Sequence, residues 1–400
     1  MGRDTVRHIF PIALAHFSIE LCNNFMPVLY PILITTMGLS YTQVGFVAFV
    51  SIIGDTLAQP LFGYLSDRWG PRAIVVASVA WIGLVMGLVG LVGNYWLLLL
   101  VVGFGALGSA AFHPAGASST GSVDADKRGG ALAVFSVGGT LGSALSPLLI
   151  TVIIGLLGLS GTLVLAPIAV GTAVLLYWEW NLGRRAAAHA SFDRRLADAR
   201  PTDAPPGSLL ALALVTLIVM CRSWYHFSFS TYLAEWLQSQ GWSLVRSGQT
   251  LTILSIAVGV GCLAGGALSD RIGRWRVLAL GLGLLAPTHW LFIHTSGDWL
   301  ALLTGCIGFL IGFSFPVTIA AAQEAWPRGV GLASALATGI GWLPGGVGAS
   351  LTGFIADQSS LTIGLQWLTV APVLGLLCAF AYSSHRGHDV RCARPSFDNG

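Results

Sequence analysis

Gly63-Tyr64-Leu65-Ser66-Asp67-Arg68-Trp69-Gly70-Pro71-Arg72 is the stretch that decides the fold, because it returns 203 positions later as Gly266-Ala267-Leu268-Ser269-Asp270-Arg271-Ile272-Gly273-Arg274-Trp275. The repeat is wider than the motif. Gly38, Ser40 and Gly45 recur at the same offset as Gly241, Ser243 and Gly248, each set opening a long apolar run. Each copy ends where an apolar helix gives way to a short, polar, arginine-bearing turn, as a membrane helix does where it emerges on the cytoplasmic side. The chain reads as two equivalent halves of a membrane protein.

Composition agrees: charged residues are 9% of the chain and hydrophobic residues 54%, against about 25% charged in an average soluble domain. At about 20 apolar residues per crossing there is room for about twelve helices. Apolar windows fall at 9–36, 42–66, 72–93, 95–119, 128–155 and 160–180, then at 208–237, 244–269, 275–295, 299–323, 329–356 and 360–383. The expected architecture is an all-α membrane protein of 12 transmembrane helices. It comprises a six-helix bundle over 1–180, a linker over 181–207, a second bundle over 208–385 and a polar tail over 386–400.

With both termini and the linker inside, all of the 20 Lys and Arg residues except Arg222 and Arg246 fall on the cytoplasmic side, and the positive-inside rule fixes that orientation. Arg3, Arg7 and His8 precede a full-length helix with no small-residue cleavage site, which reads as a retained first span of an inner-membrane protein rather than a signal peptide. Cys22, Cys221, Cys262, Cys306 and Cys378 lie in apolar windows and only Cys392 in the tail, so they read as small hydrophobes, not a disulfide framework.

A charge at the bilayer centre costs about 2.5–3.5 kcal/mol on insertion scales, so ionisable residues there face protein or water. The first window carries His16, Glu20, Asn23 and Asn24 as one helical stripe; the second carries Ser51, Asp55 and Gln59; the seventh carries Arg222, His226 and Ser230; the fourth contributes Ser109 and His113. The offset of the repeat sets Glu20 against Ser223, beside Arg222, so both stripes are expected to face a cavity between the halves. Glu20 is either a proton carrier or one half of a permanent ion pair with Arg222. Asp55 is either a proton site or a structural hydrogen-bond acceptor against the fourth helix. His113, followed by Pro114, is either a pH-responsive group or a filler at a proline kink. Arg222, His226, Asn23, Asn24, His16, Trp224 and Trp342 are the candidate cargo-binding residues, with Phe135 and Tyr225 as further aromatic lining; His289 and His294 read as interfacial.

The glycine runs Gly138-Gly139 to Gly142 and Gly339 to Gly348 suit close helix packing. A phosphate-cradling loop would need a strand before it and a lysine nearby, and Lys127 is the only lysine. No cofactor, metal or nucleic-acid partner is expected. No serine/histidine or metal-ligand constellation is legible along the chain, so enzymatic activity is not expected either. A monomer working on a small molecule and protons within the lipid bilayer is the expected state.

The doubled architecture and the turn motif resemble the major facilitator superfamily. Within it, His16 to Glu20 with Pro27 and Pro31, Gln59 to Gly63, Phe112-His113-Pro114 with Gly116, Phe135 with Gly138, Gly139 and Gly142, Arg222-Ser223-Trp224 and Gln323 to Pro327 resemble the fosmidomycin resistance subfamily of efflux antiporters. Two positions depart from that pattern: Ile19-Glu20 stands where the subfamily usually has Asn-Asp, and Ala115 where a Glu usually follows the His-Pro pair. The resemblance implies secondary active transport by alternating access, with proton-coupled export of a small anionic or amphiphilic compound. Proton-coupled uptake of an organic anion and a non-transporting receptor or scaffold are the alternatives. It also implies a gate in which Asp67 latches the eleventh helix and Asp270 the fifth while the cytoplasmic side is closed. Arg68, Arg72, Arg271 and Arg274 are either latch partners in that gate or plain positive anchors, and the last three are expected to serve as anchors.

Overall fold

A computed structural model of the chain describes residues 3–120, 128–186, 207–329, 333–334, 336–337 and 339–392. Much of the linker and the last eight residues therefore lie outside the described residues, as does Lys127. The described part is helical throughout: α1 (Arg3–Asn23), α2 (Met26–Met37), α3 (Tyr41–Trp69), α4 (Pro71–Gly87), α5 (Tyr95–Thr120), α6 (Arg128–Leu157), α7 (Leu165–Ala186), α8 (Leu209–Ser239), α9 (Leu244–Ile272), α10 (Arg274–Ile293), α11 (Trp299–Ala325), α12 (Leu343–Gln358), α13 (Leu361–Trp367) and α14 (Val370–Cys392). Eleven stretches among the described residues are long and apolar enough to cross a membrane. The eleventh window is delivered in pieces, a 3-10 turn at Ile340–Trp342 followed by α12.

Three windows expected as single helices are interrupted. In the first, α1 stops at Asn23 and α2 begins beyond Phe25 with Pro27 in its opening positions. Proline lacks the N–H that would continue the ladder, and its ring collides with the carbonyl four residues back. The break thus falls one turn past Glu20. In the twelfth window the chain breaks after Trp367, and Pro372 sits in the first turn of α14, where its missing donor costs nothing. The last helix then runs through Cys392, into the segment expected to be a polar tail.

The repeated residues have a repeated job. Gly38 and Gly241 take φ of 66° and 85°, and Gly70 and Gly273 take 87° and 94°, conformations that disfavour any residue with a Cβ. Ser40 and Ser243, two residues after the first pair, cap α3 and α9 by accepting from the Gln43 and Arg246 amides. What was duplicated is a stop, a cap, a long helix and a second stop.

Packing is doubled as well. Within the first half α1 lies on α6, α3 and α4 on α5, and α4 on α7; within the second α8 lies on α12, α9 and α10 on α11, and α10 on α14. Across the halves α3 meets α12 and α6 meets α9. One end of the bundle carries the 69–72 and 272–275 turns and both ends of the linker; we call it the linker end and the opposite one the far end.

Among the described residues, the hydrogen bonds joining the halves lie at the far end. Asp357 on α12 accepts from the Tyr41 amide at 2.8 Å, the Thr42 amide at 2.9 Å and the Thr42 hydroxyl at 2.6 Å, capping α3 from the other half. The Tyr232 hydroxyl lies 2.7 Å from the Tyr41 carbonyl and 2.9 Å from that of Ala349, its one proton shared between them. A Cβ at Gly45 would collide with the Ala349 backbone, and one at Gly248 with Thr151, so both interfaces are backbone-close there.

Candidate functional site

Glycines on α6 build the first polar cluster. A Cβ at Gly138 or Gly142 would overlap the α1 backbone, and one at Gly139 would overlap the His16 ring. Removing those side chains lets α1 press onto α6 with His16 and Glu20 between them. The His16 ring stacks on Phe135 with centroids 4.1 Å apart, and its Nδ1 lies 2.9 Å from the Phe135 carbonyl. A carbonyl can only accept, so Nδ1 carries the hydrogen and Nε2 is left facing Glu20. Glu20 is held at both oxygens. Oε2 accepts from Asn24 at 2.7 Å and from Ser143 at 3.0 Å; Oε1 lies 3.6 Å from His16 Nε2 and 3.4 Å from His113 Nε2 on α5.

His16 Nε2 and His113 Nε2 thus both face the same carboxylate oxygen, one from α1 and one from α5. Asp55, midway along α3, lies beside His113 and Ser109 and takes one long hydrogen bond, 3.4 Å, from Gln59; its Oδ1 and the Ser109 hydroxyl are buried without one. Glu20 and His113 keep 15% and 31% of their side-chain surface accessible.

The second cluster is of opposite character. Arg222 on α8 is 3% exposed, and its Nε and Nη2 are buried with no acceptor. Its guanidinium lies over the Phe315 ring, 4.8 Å from the centroid, and its titratable neighbours are His226, one turn on, and Cys262 on α9. Trp342 packs against both Phe315 and Phe227, and its indole N–H is another buried donor without a partner. Trp224 points elsewhere, against Gly348, where a Cβ would overlap its indole.

Several expectations are corrected. No Glu20–Arg222 ion pair exists among the described residues: Glu20 spends its oxygens within its own half, because α1 turns its polar stripe toward α5 and α6 rather than across the cavity. Asn24 donates to Glu20, and His16 donates through Nδ1 to the Phe135 carbonyl. The Asn23 side chain makes no polar contact among the described residues.

His289 is fully buried, not interfacial, between the Tyr225 hydroxyl at 2.7 Å and the Leu365 carbonyl at 2.8 Å, which also removes Tyr225 from the cavity. His294 is exposed and stacks on Trp290. Arg274 is more than an anchor: it binds Asp270 at 2.5 Å, Ser269 at 2.6 Å and Glu324 at 3.1 Å, tying Asp270 down within its own half. Asp67, its counterpart, is exposed and makes no hydrogen bond or ion pair among the described residues, and the same holds for Arg68 and Arg271. Arg72 lies over Trp180.

Sequence reasoning missed Ser143, the Phe135 carbonyl and Asp357. Ser143 lies one residue after Gly142 in a run already singled out for packing against another helix. Asp357, near the end of an apolar window, carried no comparable signal.

A model of the Major Facilitator Superfamily matches residues 12–349 and 251–386. The fosmidomycin resistance protein of Escherichia coli K12 is 28% identical over 374 residues, 92% of this chain and 91% of that protein. The multidrug resistance protein MdtG of Yersinia enterocolitica is 28% identical over 314 residues, 74% and 72% of the two chains. Among solved structures, a bacterial homolog of the human lysosomal transporter Spinster, inward-facing and occupied, superposes with a TM-score of 0.77 at 17% identity, covering 95% of this chain and 96% of that one. A doubled helical fold, closed at one end around two buried polar clusters, and a family match along most of the chain lead to one conclusion: this is a multi-pass membrane transporter that belongs to the major facilitator superfamily.

Proposed function

We propose that the chain couples proton entry to the export of a small anionic or amphiphilic compound across the inner membrane, the two jobs divided between its halves. The linker end is cytoplasmic, since in the sequence all Lys and Arg residues but Arg222 and Arg246 fall in the termini, the linker and the turns assigned to that side. Cargo is held by Arg222, with His226 and Trp342. Protons are held among Glu20, His16, His113 and Asp55.

The observation that carries this reading is Arg222. A buried guanidinium with two unanswered donors is costly, and native proteins tolerate such a group where a ligand completes it. An anion offering two oxygens would satisfy that planar fork. Export rather than uptake is favoured by relatives whose names are those of resistance proteins. The halves rock about the clusters as units 1–180 and 208–385. When the cytoplasmic side closes, exposed Asp67 meets the N-terminal end of the eleventh span, while Asp357 releases α3 at the far end.

Flux in proteoliposomes with an imposed pH gradient, using fosmidomycin and a panel of small organic anions, tests the reading. Glu20→Gln should reduce pH-driven accumulation to the level of protein-free vesicles. If no compound responds to the gradient in the wild type, proton coupling is wrong; if accumulation requires an inward cargo gradient, export is. A cysteine at Arg195 that reacts with an impermeant reagent from outside intact cells would reverse the orientation.

A further inference from the structure

Three donor atoms in the first half converge as ligands do around a cation. One ring nitrogen of His16, one of His113 and a Glu20 oxygen all lie within 4.8 Å of one another, and Glu20 Oε1 is 3.6 Å from His16 Nε2 and 3.4 Å from His113 Nε2. A tetrahedral ion with bonds of about 2.0–2.2 Å sets neighbouring ligands roughly 3.3–3.6 Å apart. The two carboxylate-to-imidazole spacings already match, and only the gap between the imidazoles needs to narrow. His113, with 31% of its side chain accessible, is the group free to do so.

The surroundings of the ligands point the same way. A histidine that binds a metal usually donates its other ring N–H to a carbonyl or carboxylate, which fixes the tautomer and aims the free nitrogen. His16 does this through Nδ1 and the Phe135 carbonyl at 2.9 Å, with its ring held by Phe135 and the bare Gly139 surface. Glu20 is anchored in the same manner, Asn24 and Ser143 occupying Oε2 and leaving Oε1 toward the two imidazoles.

We propose that His16, Glu20 and His113 form a binding site for a divalent first-row transition-metal ion of the Zn2+ class, and that occupying it arrests transport by clamping α1 to α5. Two imidazoles and one carboxylate suit Zn2+, Co2+ and Ni2+, whereas Mg2+ and Ca2+ take oxygen ligands. Three protein ligands leave a fourth position for water. The site is inferred from geometry alone. It shares atoms with the proton-holding cluster proposed above, so binding must be read without transport.

The experiment uses the purified full chain, with any affinity tag removed, titrated with Co2+ and followed by its visible absorption, then with Zn2+ as competitor. One Co2+ per chain with a low-symmetry visible band, displaced by Zn2+, is expected. His16→Ala and His113→Ala should each weaken binding at least tenfold, and Ser143→Ala, which leaves all three ligands in place, by about tenfold. His226→Ala and His294→Ala should bind as the wild type does. Absence of a band in the wild type, or a band unchanged in both His16→Ala and His113→Ala, overturns the site. The wild-type stoichiometry decides this even if one variant fails to fold. A band in a protein whose transport ignores pH would support the site while removing the proton reading.

Discussion

The two polar clusters are built on α1 and α8, equivalent helices of a duplicated fold, and differ in one respect: Glu20 is answered and Arg222 is not. The carboxylate has Asn24, Ser143, His16 and His113 around it, all from its own half. The guanidinium has an aromatic face, a neighbouring histidine and a thiol, and two buried donors with nothing to bind. Duplication copied the helices and their caps, but not the charges. Arg222 stands at the offset of Ile19, which is fully buried apolar core in the first half. A symmetric scaffold thus presents an answered carboxylate in one half and an unanswered guanidinium in the other.

The largest effect that would break this comparison is loss of Arg222. Hydrogen bonds to charged groups contribute about 1.5–3 kcal/mol each, so Arg222→Ala should lower cargo affinity by about 10- to 100-fold, measured by equilibrium binding or half-saturation of counterflow. Arg222→Lys should recover only part of it, because an ammonium keeps the charge but loses the planar fork. Unchanged affinity in a folded Arg222→Ala protein would move the cargo elsewhere.

A smaller effect tests how the first cluster is built. Gly139→Ala places a methyl group where the His16 ring lies, and overpacking of this kind costs about 1–3 kcal/mol. The variant should melt several degrees lower and lose pH-driven flux while keeping cargo affinity. A Gly139→Ala protein with wild-type melting and flux would mean that His16 has no fixed seat.

The smallest effect separates the two copies of the turn motif. Asp270 is occupied by Arg274 within its half, whereas Asp67 is exposed. Asp67→Asn should slow transport several-fold, and Asp270→Asn less, with both proteins folded. Equal rates in the two variants would remove the distinction between a working latch and a structural ion pair.

Much of this was legible in the residues. The offset of 203 exposes the duplication, and the Gly-x-Ser and turn glycines recur because each takes a backbone conformation or cap the fold needs twice. The stripe His16, Glu20, Asn24 is a stripe in the structure. Which way it faces was not legible: the repeat relates Glu20 to Ser223, but symmetry-related positions need not touch, and the glycine surface of α6 draws the stripe toward its own half. Convergence of His16 and Glu20 with His113 depends on α1 meeting α5 across nearly a hundred residues, which no spacing rule reports. His289 looked interfacial from its place near a helix end, but partners on α8 and near the end of α13 enclose it completely.

The central claim is that proton and cargo are handled in different halves, and cargo counterflow at equal pH on both sides of the membrane tests it most directly. Exchange under those conditions needs the cargo site and the rocking motion but no net proton movement. The account predicts that Glu20→Gln retains counterflow near the wild-type rate and that Arg222→Ala loses it at sub-saturating cargo. Loss of counterflow in a folded Glu20→Gln protein, with retention in Arg222→Ala, would contradict the division.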